Sequence, residues 1–103
     1  MARNAIAVEV PYTTEKMGAG EYTLMHKYDI ATRSRDMNVI AGIWHGCPCG
    51  CGARSYLPID TETGWTIVKP FPKASLTPSI GMFAGQSPFH WHGYLTDGEF
   101  REC

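Results

Sequence analysis

The chain has 103 residues, 44% of them hydrophobic, and nine lysines and arginines face ten aspartates and glutamates for a net charge of −1. That length holds one domain with a modest core, in which a metal staple adds materially to stability, and the balanced charge gives no footing to phosphate neutralisation, so no nucleic-acid partner is expected. No run approaches the roughly 18 apolar residues of a membrane span and the first residues lack a secretory signal, so no membrane association is expected, and the default is a reducing cytosol where clustered cysteines more often bind metal than form disulfides.

Eleven glycines and seven prolines cut the sequence into short pieces. No window sustains the three- and four-residue apolar spacing of a helix. The expectation is therefore a mostly β fold, a small antiparallel sheet domain of short hairpins stapled by a metal site, with little helix. Residues 5 to 10 alternate loosely up to Pro11, which suits an opening edge strand. Residues 13 to 20 read as a loop. Residues 21 to 28 form a strand pattern, with Tyr22, Leu24, His26 and Tyr28 on one face and Thr23, Met25 and Lys27 on the other.

Residues 32 to 38 are charged and read as a connection, although a short helical turn from Ser34 would also fit. An apolar run over 39 to 44 leads into a cysteine-rich turn and residues 54 to 59 leave it, so the turn sits at the tip of a β-hairpin. A turn over 60 to 64 precedes a short strand at 65 to 68. Between 69 and 86, Pro70, Pro72 and Pro78 disfavour both helix and central strand. That stretch is expected to be an extended crossing segment, with Phe71, Leu76, Ile80, Met82 and Phe83 covering the core. Residues 90 to 95 and 99 to 103 flank Asp97-Gly98, the dipeptide of two-residue hairpin turns.

The organising stretch is His45-Gly46-Cys47-Pro48-Cys49-Gly50-Cys51-Gly52, which holds three of the four cysteines. A disulfide needs Cα atoms roughly 4.4 to 6.8 Å apart with a defined dihedral, which such spacing strains. A metal accepts the crowding, and glycines let backbone N–H groups turn towards the sulfurs. In the closing hairpin, pairing outward from the Asp97-Gly98 turn sets His92 opposite Cys103, with His90 on the same face. A tetrahedral Zn2+ held by two of Cys47, Cys49 and Cys51 together with His92 and Cys103 is the preferred site. Cys47 and Cys51 are favoured as the outer pair, Cys49 is a substitute ligand or an inert thiol, and His90 replaces Cys103 if the last residue frays. Four protein ligands make a structural ion, because catalytic zinc keeps a position for water. The spacing matches no common iron–sulfur pattern. His45 is expected to pack or hydrogen-bond near the turn, His26 to be a core or surface histidine, and Trp44, Trp65 and Trp91 to form the core beneath the metal.

The chain resembles an uncharacterised family of small bacterial and phage proteins. The resemblance rests on a CPCGCG turn at Cys47 to Gly52, the downstream Trp65, the Leu-x-Pro-Ser-Ile-Gly block of Leu76 to Gly81, and the His-Gly-x-x-x-x-Gly hairpin of His92 to Gly98 with Cys103. It covers residues 43 to 103, so a single domain over 1 to 103 divides into a metal-binding core and unmatched N-terminal strands over 1 to 40. The resemblance implies a zinc-binding β domain. Some bacterial relatives lie near ubiquitin-like conjugation systems, phage versions lie among prophage and virion genes, and some relatives carry a cysteine where this chain has Phe89.

No HExxH, phosphate-cradling loop or serine-centred elbow is present, and no catalytic residue is assigned. The expected function is a zinc-stabilised, non-enzymatic binding or structural module. Its partner is a phage particle component or host protein, its place the bacterial host cytoplasm or the virion, and a homo-oligomer is open. Met82, Phe83 and Phe89 are candidates for the contact surface. The alternatives are a metal-dependent hydrolase or nuclease with His90 or His45 as general base, and an adaptor in a ubiquitin-like modification pathway.

Overall fold

Every regular element among the described residues is a strand. The computed structural model describes residues 3 to 82 and 90 to 103. In chain order the strands are β1 (Ala5–Ile6), β2 (Val8–Glu9), β3 (Glu21–Asp29), β4 (Ser34–Gly46), β5 (Arg54–Pro58), β6 (Thr66–Lys69), β7 (Ser75–Thr77), β8 (Ile80–Met82), β9 (Trp91–Thr96) and β10 (Glu99–Glu102). One sheet has the order β1-β10-β9-β8 and a second the order β2-β3-β4-β5, while β6 and β7 form a two-stranded ribbon. All pairings between these strands are antiparallel except β2 with β3. Among the described residues the fold is thus the mostly β arrangement of short strands in small sheets, with little helix, that the sequence implies.

The opening strand is divided between the layers. Ala5 and Ile6 pair with Phe100 and Glu99, whereas Val8 and Glu9 lie parallel to Glu21 and Tyr22. Between them the Ala7 amide donates to the Gly98 carbonyl at 2.8 Å. Arg3 then clasps the same sheet, its guanidinium reaching both the Glu102 carboxylate and, at 2.8 Å, the His90 carbonyl.

The charged stretch over 32 to 38 is mostly strand and not a connection. β4 runs for 13 residues beside β3, and the turn between them is only the segment around Arg33, whose φ is 52°. Asp29 Oδ1 accepts the Ala31 amide at 2.9 Å and starts that turn. This outer part of the ribbon is exposed, so its side chains carry no alternation of polarity, and the backbone ladder alone makes it a strand. A register shift around His26 interrupts the ladder.

The proline-bearing segment behaves as steric rules require. Pro70 and Pro72 stand between β6 and β7 and Pro78 between β7 and β8, so none has to supply a ladder amide. β8 then joins the edge of the first sheet, with Ile80, Gly81 and Met82 opposite Gly93, His92 and Trp91. Phe83 and Phe89 lie outside the described residues.

The core lies between the sheets. Trp91, Leu95, Phe100, Ile80 and Met82 meet Tyr22, Ile43 and Leu57, with Leu76 and Ala74 filling the flank. Alternation explains the choice: residues 91, 93 and 95 of β9 and residues 43 and 45 of β4 point inward. Each large apolar side chain so buried stabilises the fold by about 1.5 to 3 kcal/mol. Trp91 meets Phe100 edge to face at 6.4 Å. Of the three tryptophans only Trp91 is fully buried; Trp65 packs half-buried against the core, and Trp44 faces outward under Arg54 and beside Tyr56. His45 is buried, whereas His92 lies on the side of β9 opposite the buried Trp91.

Candidate metal centre and serine–histidine pair

The cysteine loop closes the β4–β5 hairpin, whose last pair is Gly46 with Arg54. Two short bonds shape it: the Cys47 amide donates to the Ala53 carbonyl at 2.8 Å, and the Gly50 amide to the Cys47 carbonyl at 2.9 Å. Gly50 and Gly52 have φ values of 85° and 90°, which side chains with a Cβ rarely adopt. Those two glycines bend the loop so that all three thiols converge. Arg54 ties the hairpin's base to the neighbouring loop by donating to the Thr13 carbonyl at 2.6 Å.

Against this loop lies His90, the residue before β9. Sγ of Cys47, Cys49 and Cys51 and a ring nitrogen of His90 all lie within 4.8 Å of one another. Cys49 Sγ is 3.3 Å from Cys47 Sγ and 2.8 Å from His90 Nε2. The four groups could take one tetrahedral ion with Cys49 drawn further from Cys47 and His90. Bonds of about 2.3 Å to sulfur and 2.0 to 2.1 Å to nitrogen require ligand atoms roughly 3.5 to 3.8 Å apart, and three soft thiolates with one imidazole are the donor set of a thiophilic metal.

The electrostatics agree with that fit. Burial pushes the Cys47 thiol up to about 12, against the pull of the Cys49 amide that points at its sulfur. Cys51, at the exposed end of the loop, is instead held below the ordinary thiol value by the Ala53 amide. Crowded thiols resist losing their protons one after another, and a bound cation removes that resistance by supplying the opposing charge. Cys47 is fully buried, Cys49 half-buried and Cys51 exposed, so an ion there is anchored from inside and approached from outside.

The structure gathers the site differently from the preferred sequence reading. All three clustered cysteines join, and the histidine that meets them is His90. His92 and Cys103 stand outside this group. Their predicted adjacency along the hairpin does hold: Glu102 pairs with Gly93, and the Cys103 amide donates to the His92 carbonyl at 2.9 Å. Strand register alone does not bring His92 and Cys103 to the cysteine loop, which packs against His90 at the beginning of β9.

His92 faces another group. Its Nε2 lies 2.8 Å from Ser79 Oγ. Ser79 ends the joint between β7 and β8, and continuing the β8–β9 register puts it on the same sheet face as His92, one diagonal away, within reach of an imidazole. The Ser79 carbonyl accepts the Trp65 indole N–H at 3.3 Å. A hydroxyl hydrogen-bonded to an imidazole is the elementary unit of nucleophilic acyl transfer. Sequence reasoning missed this pair, although both residues stand in stretches it had singled out. A search for a glycine-flanked serine passes over Ser79, which follows Pro78 and precedes Ile80.

His45, considered above as a general base, is fully buried in the core. It stacks on Phe100 at 5.3 Å, and its Nδ1 lies 3.0 Å from the Gly46 carbonyl. Burial lowers its pKa to about 4, so the ring is neutral at ordinary pH. With His90 beside the thiols, an ion held there would have four protein ligands.

Fold and site together define a small all-β protein with a Cys3His group able to hold a metal and, separately, a serine–histidine pair. Residues 13–103 match the family model described as the bacterial ubiquitination-like system serine protease, BubE. The chain belongs to that family. The match takes in β3 and most of the N-terminal region as well as the stretch from 43 onward. No curated protein and no solved structure matches the chain. The family description names a bacterial system, and the phage and virion roles expected from the sequence have no counterpart in it. Among the described residues no helix is long and apolar enough to cross a membrane.

Proposed function

We propose that this protein is a serine hydrolase of a bacterial ubiquitination-like system, in which Ser79 is the nucleophile, His92 the general base, and Cys47, Cys49, Cys51 and His90 hold a structural zinc ion. Its partner is then a protein substrate: a ubiquitin-like modifier joined through its C-terminal carbonyl to an extension or to another protein. The observation that carries the reading is the 2.8 Å approach of Ser79 Oγ to His92 Nε2. The family description supports the reaction class.

The chemistry runs through those two side chains. With the ring proton on Nδ1, Nε2 accepts the Ser79 proton as Oγ attacks the scissile carbonyl, and the imidazolium then gives that proton to the departing amine. Water attacks the resulting ester, loses its proton to His92, and Ser79 regains it as the acid product leaves. Zinc takes no part in these steps. Cys47, Cys49, Cys51 and His90 would hold it, and it would supply a structural tie between the cysteine loop and His90, two residues before the base.

The test uses a bacterial ubiquitin-like modifier with a C-terminal extension, together with a fluorophosphonate probe that labels activated serines. Cleavage and labelling at Ser79 are expected, and Ser79→Ala and His92→Gln should each lower cleavage about 10³-fold or more. Undiminished cleavage by Ser79→Ala would overturn the assignment. A non-catalytic adaptor in the same system is the second reading, favoured by the closed four-ligand group, and it predicts modifier binding with no turnover and no labelling.

A further inference from the structure

We propose that Trp65 is the positioning residue of the Ser79 nucleophile, which rests on the hydrolase reading above. Ser79 stands where the chain leaves the β6–β7 ribbon and enters the edge of the first sheet, a joint with no ladder partner of its own among the described residues. Its hydroxyl is fixed by His92 at 2.8 Å. Something must fix its backbone as well, because rotation about the Cα bonds would swing Oγ off the imidazole while leaving both strands intact.

Trp65 supplies that second point. Its indole N–H donates to the Ser79 carbonyl at 3.3 Å. The peptide between Ser79 and Ile80 is planar, so holding its oxygen sets the whole plane and turns the Ile80 amide to the opposite side. The serine is thereby gripped from two directions, by its side chain from β9 and by its carbonyl from Trp65.

The anchor is itself rigid. The Trp65 amide donates to the Pro58 carbonyl at 2.8 Å, the Trp65 carbonyl accepts the Asp60 amide at 2.8 Å, and Trp65 bridges to Ile59. Its ring is half-buried against the core. Pro58 ends β5, the strand that leaves the cysteine loop, so the indole carries the position of the second sheet to a residue at the edge of the first. A misplacement of about 1 Å in a reacting atom costs up to roughly 10²-fold in rate.

The experiment replaces Trp65 by benzothienylalanine, which keeps the ring's size and loses only its N–H, and compares it with 5-fluorotryptophan, which keeps the donor. The readouts are the inactivation rate constant and the half-saturating concentration of the fluorophosphonate probe, with the melting temperature as the measure of fold. The benzothienyl protein should react about tenfold more slowly with an unchanged half-saturating concentration, and the fluorotryptophan protein should match the wild type. Equal rates for the wild-type and benzothienyl proteins would overturn the role of Trp65 and leave the dyad standing. If wild-type Ser79 does not react at all, the dyad falls and this inference with it. Trp65→Phe should show the same slow reaction with normal half-saturation.

Discussion

Replacing Cys47 by alanine separates the metal's contribution from that of packing. The thiol is fully buried, and as a small apolar group its removal costs about 1 kcal/mol of transfer and cavity energy. Its part in holding an ion is larger. Structural zinc sites in small peptides release about 10 to 16 kcal/mol on binding, so one of four ligands carries on the order of 3 kcal/mol. Together the penalty reaches about 4 kcal/mol, a large share of the 5 to 15 kcal/mol that separates folded from unfolded domains. Urea unfolding of the wild-type and Cys47→Ala proteins at fixed free zinc should show that gap, and in chelator it should shrink to about 1 kcal/mol or vanish because both proteins are unfolded. Equal, measurable penalties in the two buffers would show that Cys47 only packs and would refute the metal centre.

Cys103→Ser should leave stability within about 0.5 kcal/mol and bound zinc at its wild-type ratio, as read by metal analysis, because that thiol is exposed and outside the cluster. The pH dependence follows from His45, whose folded pKa of about 4 lies below its ordinary value of 6.5. The neutral ring is the folded form, so its contribution is complete above pH 6.5 and is lost as the pH falls towards 4, at about 1.4 kcal/mol per pH unit and about 3 kcal/mol in all. Melting curves of His45→Phe, which keeps a ring against Phe100, should decline less steeply than wild type across that window. Acid loss of a bound metal would act on both proteins alike, so only the difference between their slopes reports on His45.

Local chemistry made much of this molecule legible. The Asp97-Gly98 turn, at φ values of 49° and 79°, sets a hairpin whose register could be counted outward residue by residue. The glycines of the cysteine loop announced a chelating bend. What resisted was information carried by the backbone or by packing across layers. The outer half of β4 is exposed on both faces, so its charges resemble a loop, and only its hydrogen-bonded partner β3 makes it a strand. Choosing His90 over His92 depended on where the cysteine loop meets β9, a contact between two sheets that neither segment encodes alone. Ser79 was hidden for the same reason: its meaning depends on a histidine 13 residues further on, brought near by the pairing of β8 and β9.

The switch of the chain from one sheet to the other between β1 and β2 has a practical consequence. β1 covers the outer edge of β10 and β2 covers that of β3, so a protease nick or a bulky fusion that peels this segment away would bare two rows of backbone donors and acceptors at once. The stretch is less a tail than a stitch through both layers, and it lies ahead of the family-matched residues that begin at 13. Truncating the chain to that matched boundary would leave a protein with two open seams and a strong tendency to associate with itself.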